Sequence, residues 1–196
     1  MIAQQNSDYK ALYNQLNQLA VLSESEWLSF SQMLTVKEFD KKDVYQQAGR
    51  RCKTVGFVLQ GCFRWIKINN GEERTFDFAI ENDFVTNYLS IMTGLPSETE
   101  IVAVERSRVA CIDADKLLGL FDSSYNWQKI GRHLAENVAC YSMERLIASF
   151  YETPETRYNK LMKTSSELFL RVPYHILANY LGMTKETLSR LRNKNR

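Results

Sequence analysis

The segment Leu177–Arg192, which reads LANYLGMTKETLSRLR, contains two short helical patterns separated by a glycine. Ala178 is small enough for a second helix to cross closely over the first, and Gly182 can adopt the left-handed conformation that ends a helix. Thr184 offers an N-cap for the second helix, and Leu188 is spaced to pack that helix against the first. The segment therefore predicts a helix-turn-helix.

The second helix of this motif, predicted at about residues 184–193, has a polar and basic outward face. Its members are Lys185, Glu186, Ser189, Arg190 and Arg192. Residues 171–196 carry six basic residues and one acidic residue, although the whole chain has a net charge of only +2. A local basic element favours binding to a polyanion such as double-stranded DNA, because it releases condensed counterions. A structural helical hairpin and a solvated charged tail remain the alternative interpretations.

The chain before this motif changes texture twice. Residues 8–34 have apolar residues at helical spacing, and Ser23 with Glu26 indicates the start of a second helix. From Thr35 onward, short runs rich in Val, Phe, Ile and Tyr alternate with turn residues, which predicts antiparallel strands. Asn69–Gly71 supplies the positive φ angles of a tight hairpin. Strands at this spacing predict a small barrel or roll.

Residues 125–151 return to helical periodicity over 27 residues, and Thr153-Pro154 then ends this helix and starts another. One apolar row recurs at seven-residue intervals, which favours a dimerisation stripe; it comprises Trp127, Leu134, Tyr141 and Ala148, with Ile130 beside it. In the alternative interpretation, the helix lies against its own roll through another stripe: Val138, Met143, Leu146, Ile147 and Phe150. The predicted segments are a sensor domain at 1–124, the long helix at 125–152 and a DNA-binding domain at 153–196.

Taken in this order, the segments resemble the Crp/Fnr family of bacterial transcription regulators. The resemblance rests on ILANYLGMTKETLSRLR and on VGFVLQGCFRWIKINNGEERTFDFAIENDFV, residues 55–85, which is similar to the family's β-roll. It implies an α+β fold: N-terminal helices, a cyclic-nucleotide-binding-like antiparallel β-roll (a double-stranded β-helix), a long dimerisation helix and a C-terminal helix-turn-helix. Only four residues follow Arg192, so we expect most of the family's β-hairpin wing to be lacking.

The resemblance also implies a function: a cytoplasmic, homodimeric, sequence-specific regulator whose partners are double-stranded DNA, a second copy and RNA polymerase. The family's base-reading positions fall on Glu186, Ser189 and Arg190, and a carboxylate and a guanidinium suit cytosine and guanine edges. Lys185 is expected to contact a phosphate or make a single contact, since lysine lacks a planar two-pronged donor. Thr184, Thr187 and Arg192 are the expected contacts to the DNA backbone. In a dimer, the two recognition helices would lie about 34 Å apart.

The family's cyclic-nucleotide cassette is altered here. Thr86-Asn87 stand where the family has Gly-Glu, and Glu98-Thr99 stand where it has Arg-Ser. A carboxylate at the phosphate position repels a phosphate. We therefore expect an effector other than cyclic AMP, or none; the candidate effector pocket is Phe84, Thr86, Asn87, Tyr88, Glu98 and Thr99.

Catalytic, metal and cofactor sites are not expected. The cysteines Cys52, Cys62, Cys111 and Cys140 include no C-x-x-C pair, and none lies in an N-terminal cluster of the kind that binds an iron–sulfur centre in one family branch. His133 and His175 are better interpreted as packing or surface residues than as haem ligands, and a roll without histidine argues against a cupin-like metalloenzyme. No apolar run is long enough to cross a membrane. The alternative function is a small-molecule-binding roll whose helix-turn-helix serves protein assembly.

Overall fold

The computed structural model describes residues 8–194, so the first seven residues of the predicted sensor domain and Asn195–Arg196 lie outside the described residues. Two short helices come first, α1 at Lys10–Leu19 and α2 at Glu24–Ser31. The predicted start of the second is confirmed. The Ser23 hydroxyl accepts a hydrogen bond from the Glu26 backbone N–H, and the Glu26 side chain accepts one from the Ser23 backbone N–H. This reciprocal pairing satisfies two amides that a helix start leaves open.

Two four-stranded antiparallel sheets form the predicted roll. The strands are β1 (Thr35–Phe39), β2 (Val44–Gln46), β3 (Thr54–Gln60), β4 (Phe63–Asn69), β5 (Glu72–Ala79), β6 (Phe84–Val85), β7 (Glu100–Ala103) and β8 (Ser107–Asp113). The sheet orders are β1-β8-β3-β6 and β2-β7-β4-β5, so β5 is an edge strand. Helix α3 (Tyr88–Thr93) connects β6 to β7.

Apolar side chains from both sheets meet inside the roll. Val58, Phe63, Ile101 and Val109 are each fully buried there. The predicted hairpin joins β4 to β5, and the left-handed φ angles of Asn70 (50°) and Gly71 (82°) fit a two-residue turn between right-twisted strands.

A short helix, α4 (Ala114–Phe121), leads to the long helix α5 (Tyr125–Tyr151), whose predicted bounds are confirmed. The start of α5 is joined to α2, because the Ser124 hydroxyl donates to Glu26 Oε1 at 2.6 Å. Asn126 Nδ2 donates to the other Glu26 oxygen at 3.2 Å. Hydrogen bonds from Ser124 and then from Ser23 lower the pKa of Glu26 to about 2.

The predicted dimerisation stripe of α5 is wrong. Trp127 and Ile130 are 1% and 0% exposed, because they pack into the core formed with α1 and α2. Tyr141 of the same row donates its hydroxyl to Asp77 Oδ1 of β5 at 2.6 Å. The stripe assigned to the chain's own roll is instead exposed: Val138, Met143, Leu146, Ile147 and Phe150. Trp127 and Ile130 therefore face the chain's own domain, which the seven-residue spacing of the row did not reveal.

The C-terminal region consists of α6 (Pro154–Thr164), α7 (Leu168–Arg171), α8 (Tyr174–Leu181) and α9 (Lys185–Lys194). The Thr153 hydroxyl caps α6, and Pro154 occupies its first turn, as expected. These helices share one apolar cluster with the roll: Cys62 and Val104 of the roll are buried together with Leu168 and Val172. Within residues 8–194, no helix is long and apolar enough to cross a membrane.

Candidate nucleic-acid interface

Helices α8 and α9 pack as a helix-turn-helix around a small apolar core. Leu177, Leu181 and Leu188 are each 0% exposed, and Ala178 is 2% exposed at the crossing. Burying a leucine side chain in this way contributes about 1.5–3 kcal/mol. The residues that the sequence assigned to the core therefore fix the orientation of α9.

The turn depends on Gly182, whose φ of 70° lies in the left-handed region. The Met183 N–H donates to the Ala178 carbonyl at 3.0 Å, which closes the helix end in the Schellman manner. Arg157 of α6 donates from Nη2 to the Leu181 carbonyl at 2.9 Å and from Nη1 to the Glu152 carbonyl at 3.1 Å. One guanidinium thus joins the carboxyl ends of α8 and α5.

The start of α9 is capped by Thr184, whose hydroxyl accepts from the Thr187 N–H at 3.2 Å. The two threonine hydroxyls also lie 3.2 Å apart, within hydrogen-bond distance of each other. Both side chains are exposed. They set the helix start, and they stand where a backbone phosphate could meet a helix N-terminus.

The outward face of α9 lies opposite the buried Leu188. At 3.6 residues per turn, Glu186, Ser189 and Arg190 are centred on that face, and all three are exposed. Asn193 lies on the same face and is also exposed. Asn193 is not among the residues predicted from the sequence, although its helical spacing from Glu186 places it on this face. The face can both donate and accept hydrogen bonds.

The two other predicted basic residues, Lys185 and Arg192, lie together on one flank of α9. Arg192 Nη1 donates to the Tyr174 hydroxyl at 3.2 Å, and its guanidinium lies 5.4 Å from the centre of that ring. Arg192 therefore also supports the packing of α9 on α8. Hydrogen bonds from the backbone of Glu186 itself and from the Thr184 side chain lower the pKa of the Glu186 carboxyl. The carboxylate is ionised at neutral pH.

The helix-turn-helix is attached to the free edge of β5 through Asn179. The Asn179 side chain accepts from the Thr75 N–H at 2.7 Å and donates to the Glu73 carbonyl at 3.0 Å, as a neighbouring strand would. Arg145 of α5 donates to the Tyr180 hydroxyl at 2.7 Å and also to the Phe76 carbonyl. Three parts of the chain therefore meet at β5.

A second attachment is an ion-pair cluster around Arg171 of α7. Its guanidinium donates to Glu81 at 2.7 and 2.9 Å and to Glu105 at 3.0 Å. Burial opposes ionisation of Glu81, but the hydrogen bonds from Arg171 and from the Gly61 N–H outweigh it, so the pKa of Glu81 is lowered. The sequence gives no local pattern that would identify this cluster.

The structure separates the six predicted effector-pocket residues into two groups. Asn87 accepts from the Ser90 N–H at 2.9 Å and donates to Ser97 and Thr99 at 2.6 and 3.0 Å. Glu98 is exposed and pairs with Lys67 at 2.7 Å. Asn87, Glu98 and Thr99 are thus held by neighbouring side chains, and they do not line the cavity that the other three residues share.

The other three, Phe84, Thr86 and Tyr88, line a cavity of about 830 Å³. This cavity lies between the roll, helix α1 and helix α5. The Thr86 hydroxyl donates to the Thr54 carbonyl at 2.9 Å, so the threonine is already satisfied. Most of the lining residues could not be predicted from the sequence, because they come from elements that are distant in the chain.

No group of three or more His, Cys, Asp or Glu side chains within residues 8–194 could hold a metal ion. His133 lies 3.1 Å from Glu136 on the surface of α5. Cys52, Cys62 and Cys111 are buried, whereas Cys140 is exposed.

Known proteins share this architecture. Residues 36–124 match the family described as the cyclic nucleotide-binding domain. The chain is similar to FixK2 from Bradyrhizobium japonicum, with 17% identity and a TM-score of 0.67 over 82% of this chain and 83% of that chain. It is similar to a protein described as a transcriptional regulator of the Crp/Fnr family from Eubacterium rectale, with 19% identity and a TM-score of 0.66 over 88% and 83% of the two chains.

The catabolite activator protein of Thermus thermophilus is also similar, with 18% identity and a TM-score of 0.54 over 90% of this chain and 84% of that chain. No curated protein sequence gives a significant match. The predicted fold, a β-roll followed by a long helix and a C-terminal helix-turn-helix, is confirmed.

Proposed function

We propose that the protein is a homodimeric, sequence-specific DNA-binding transcription regulator, since residues 36–124 match the cyclic nucleotide-binding domain family and the chain has the fold of the Crp/Fnr regulators. The observation that carries the proposal is the outward face of α9. Glu186, Ser189 and Arg190 are exposed on a helix whose inner side is anchored by the fully buried Leu188. A rigid helix with donors and acceptors on one side suits a base-reading element.

Each residue has a role that its chemistry supports. Arg190 can donate two parallel hydrogen bonds to guanine O6 and N7, and the ionised Glu186 can accept from a cytosine amino group. The Ser189 hydroxyl can form a hydrogen bond with either guanine or cytosine. Lys185, Thr184, Thr187 and Arg192 supply donors at the edges of the helix for phosphate contacts, which set the register without reading sequence.

The test begins with selection of bound sequences from a random DNA pool, using purified protein at two salt concentrations. We expect a two-fold symmetric motif, and affinity for it should fall steeply with salt. Arg190→Ala should cost about 1–3 kcal/mol on the selected site and relax the preference at one base pair. Arg50→Ala is the matched control, because Arg50 is exposed in a loop of the roll. Unchanged selectivity in Arg190→Ala would refute the assignment of the reader.

The dimer interface is proposed on the exposed stripe of α5. Met143 and Phe150 are 57% and 75% exposed and lie seven residues apart, and Ala139 and Leu146 form the second row of the same seam. Ile147 flanks it and is 53% exposed. A seam with apolar residues in two rows of a seven-residue repeat suits two parallel helices related by a two-fold axis.

Leu146→Glu tests this interface, since it places a charge at the centre of the seam. Sedimentation at micromolar concentration should show a dimer for the unaltered protein and a monomer for the variant. Leu170→Glu is the matched control, because Leu170 is 91% exposed on α7 and is not part of the proposed seam. A Leu146→Glu protein that stays dimeric would place the interface elsewhere.

We propose cytoplasmic localisation, a bacterial source and RNA polymerase as a further partner on the same basis, the shared fold with bacterial regulators. The effector, if one is required, is proposed to differ from cyclic AMP. The alternative, a helix-turn-helix that serves only assembly, is not favoured, because the cores of protein interfaces are depleted of charged residues and the outward face of α9 carries Glu186 and Arg190.

A further inference from the structure

The cavity between the roll, α1 and α5 has the size and surface of a small-molecule site. Its volume of about 830 Å³ lies within the usual range for ligand pockets, about 300–1,000 Å³. The lining is mainly apolar and includes rings and branched side chains such as Phe57, Phe84, Trp127 and Leu134. A molecule that binds there in the folded chain stabilises the fold by mass action.

The charge of the lining restricts what can enter. Among the described residues that line the cavity there is no lysine, arginine or histidine, and the charged members are Asp77 and Asp83. Burial raises the pKa of both carboxyl groups, partly offset at Asp77 by the hydrogen bond from Tyr141 and at Asp83 by one from the Ile80 N–H. An anionic ligand would lose its hydration and meet carboxylates without any compensating cation.

The lining contains one buried hydrogen-bond acceptor that the part of the chain described by the structure leaves without a donor. Gln15 Oε1 is buried and has no hydrogen-bond partner among residues 8–194. Two hydroxyl donors of the lining are already used, since the Tyr141 hydroxyl bonds to Asp77 and the Thr86 hydroxyl bonds to the Thr54 carbonyl. A buried acceptor without a donor costs about 1–3 kcal/mol, and a ligand N–H or O–H would remove that cost.

The place where the family's cyclic-nucleotide cassette would hold a phosphate is filled by the chain itself. The side-chain oxygen of Asn87 accepts from the Ser90 N–H, the amide at the start of α3. Its side-chain nitrogen is held by Ser97 and Thr99. Glu98 lies beside them and pairs with Lys67. The backbone amide is therefore not free for a phosphate oxygen.

We propose that this cavity binds an uncharged, largely apolar molecule with at least one hydrogen-bond donor, and that it excludes phosphates and other anions. The proposal rests on the proposed function only in naming this ligand the effector. The occupancy and selectivity of the cavity are properties of the folded chain and are measured without DNA.

Two probes with one aromatic skeleton test the proposal. N-phenyl-1-naphthylamine is uncharged and has one N–H, and 8-anilinonaphthalene-1-sulfonate adds a sulfonate to the same rings. Trp65 and Trp127 line the cavity, so binding is measured by energy transfer from tryptophan to the probe. We expect one uncharged probe per chain, at least tenfold weaker binding of the sulfonate, and no competition by cyclic AMP.

Three variants make the result specific to the cavity. Ala135 lines the cavity on α5, and Ala135→Phe should weaken the uncharged probe at least tenfold. Ala11→Phe is the matched control on the exposed side of α1 and should bind as the unaltered protein does. Asp83→Asn removes one charge from the lining, so the affinities for the uncharged probe and for the sulfonate should differ less.

Equal binding of the two probes, competition by cyclic AMP, equal effects of Ala135→Phe and Ala11→Phe, or the lack of saturable binding would each overturn the proposal. DNA binding by the same preparations is measured separately. If the protein binds no DNA but still prefers the uncharged probe, the proposed regulator function is refuted and the proposed ligand class of the cavity is not.

Discussion

Replacing Arg171 by methionine should destabilise the protein far more than the same change at a surface ion pair of similar distance. Arg171 holds Glu81 and Glu105 through hydrogen bonds of 2.5–3.0 Å, and its side chain is 22% exposed. Methionine keeps most of the apolar stem but leaves both carboxylates without their cation. Arg106 pairs with Glu38 at 3.0 Å, but these side chains are 76% and 59% exposed.

The expected magnitude follows from the exposure of the partners. Breaking a fully buried ion pair costs about 3–5 kcal/mol, whereas an exposed pair contributes about 0–1 kcal/mol. The Glu81 and Glu105 side chains are 36% and 33% exposed, so water screens part of their charge. We therefore expect a loss of about 2 kcal/mol for Arg171→Met, and less than about 1 kcal/mol for Arg106→Met.

The pH dependence of this loss has a defined sign. Because the folded-state pKa of Glu81 lies below its ordinary value, the stabilisation is fully present above the unfolded pKa of about 4.3 and is lost as the pH falls through the folded pKa. Urea unfolding at fixed protein concentration should show the full difference at pH 7 and a smaller one below about pH 4. Equal losses at Arg171 and Arg106, or a difference that grows in acid, would refute the reasoning.

Three further predictions concern the turn, the helix cap and the thiols. Gly182→Ala should lower the free energy of unfolding in urea by about 1–3 kcal/mol, because the new methyl group lies 2.9 Å from Arg157 Nη2. Gly49 has a φ of 78° and nothing within 4 Å, so Gly49→Ala should cost only the backbone strain of about 1 kcal/mol. Equal costs would contradict the role of Arg157. Glu26→Gln should lower the melting temperature by a constant amount above about pH 4.5, and by less as the pH falls toward 2, because the pKa of Glu26 is lowered to about 2. If the two proteins already melted at the same temperature at pH 4, this prediction would be contradicted. In the Leu146→Glu variant, the exposed Cys140 should react quickly with Ellman's reagent. Cys62 and Cys111 should react slowly, because burial raises the pKa of Cys62 to about 12 and that of Cys111 to about 11. A fast phase that survives Cys140→Ser would contradict the assignment.

Features set by local sequence could be predicted. Gly182 ends α8 with a positive φ, and Thr184 and Thr153 cap the helices that follow them. The hairpin at Asn70-Gly71 forms for the same reason. In each case a few neighbouring residues decide the backbone conformation, so tertiary packing does not need to be known.

Features that depend on distant packing could not be predicted. The seven-residue row of Trp127 and Tyr141 has the spacing of a dimer seam, but Trp127 is buried against α1 and α2 and Tyr141 is hydrogen-bonded to β5. Spacing alone does not tell which side of an apolar helix meets its own domain. Asn87 lies outside the cavity for a related reason, since its side chain forms hydrogen bonds with residues ten and twelve positions away that no cassette pattern shows.

The apolar cluster shared by the roll and the C-terminal helices bears on how far this protein is modular. Cutting the chain at Thr153 would uncover Cys62 and Val104 on one piece and Leu168 and Val172 on the other. If another helix-turn-helix were grafted onto this roll, the same apolar surfaces would be left uncovered unless the new helices matched the surface of the roll, including the edge of β5. Specificity in such a protein is more safely redesigned by changing side chains on the outward face of α9 than by exchanging whole segments.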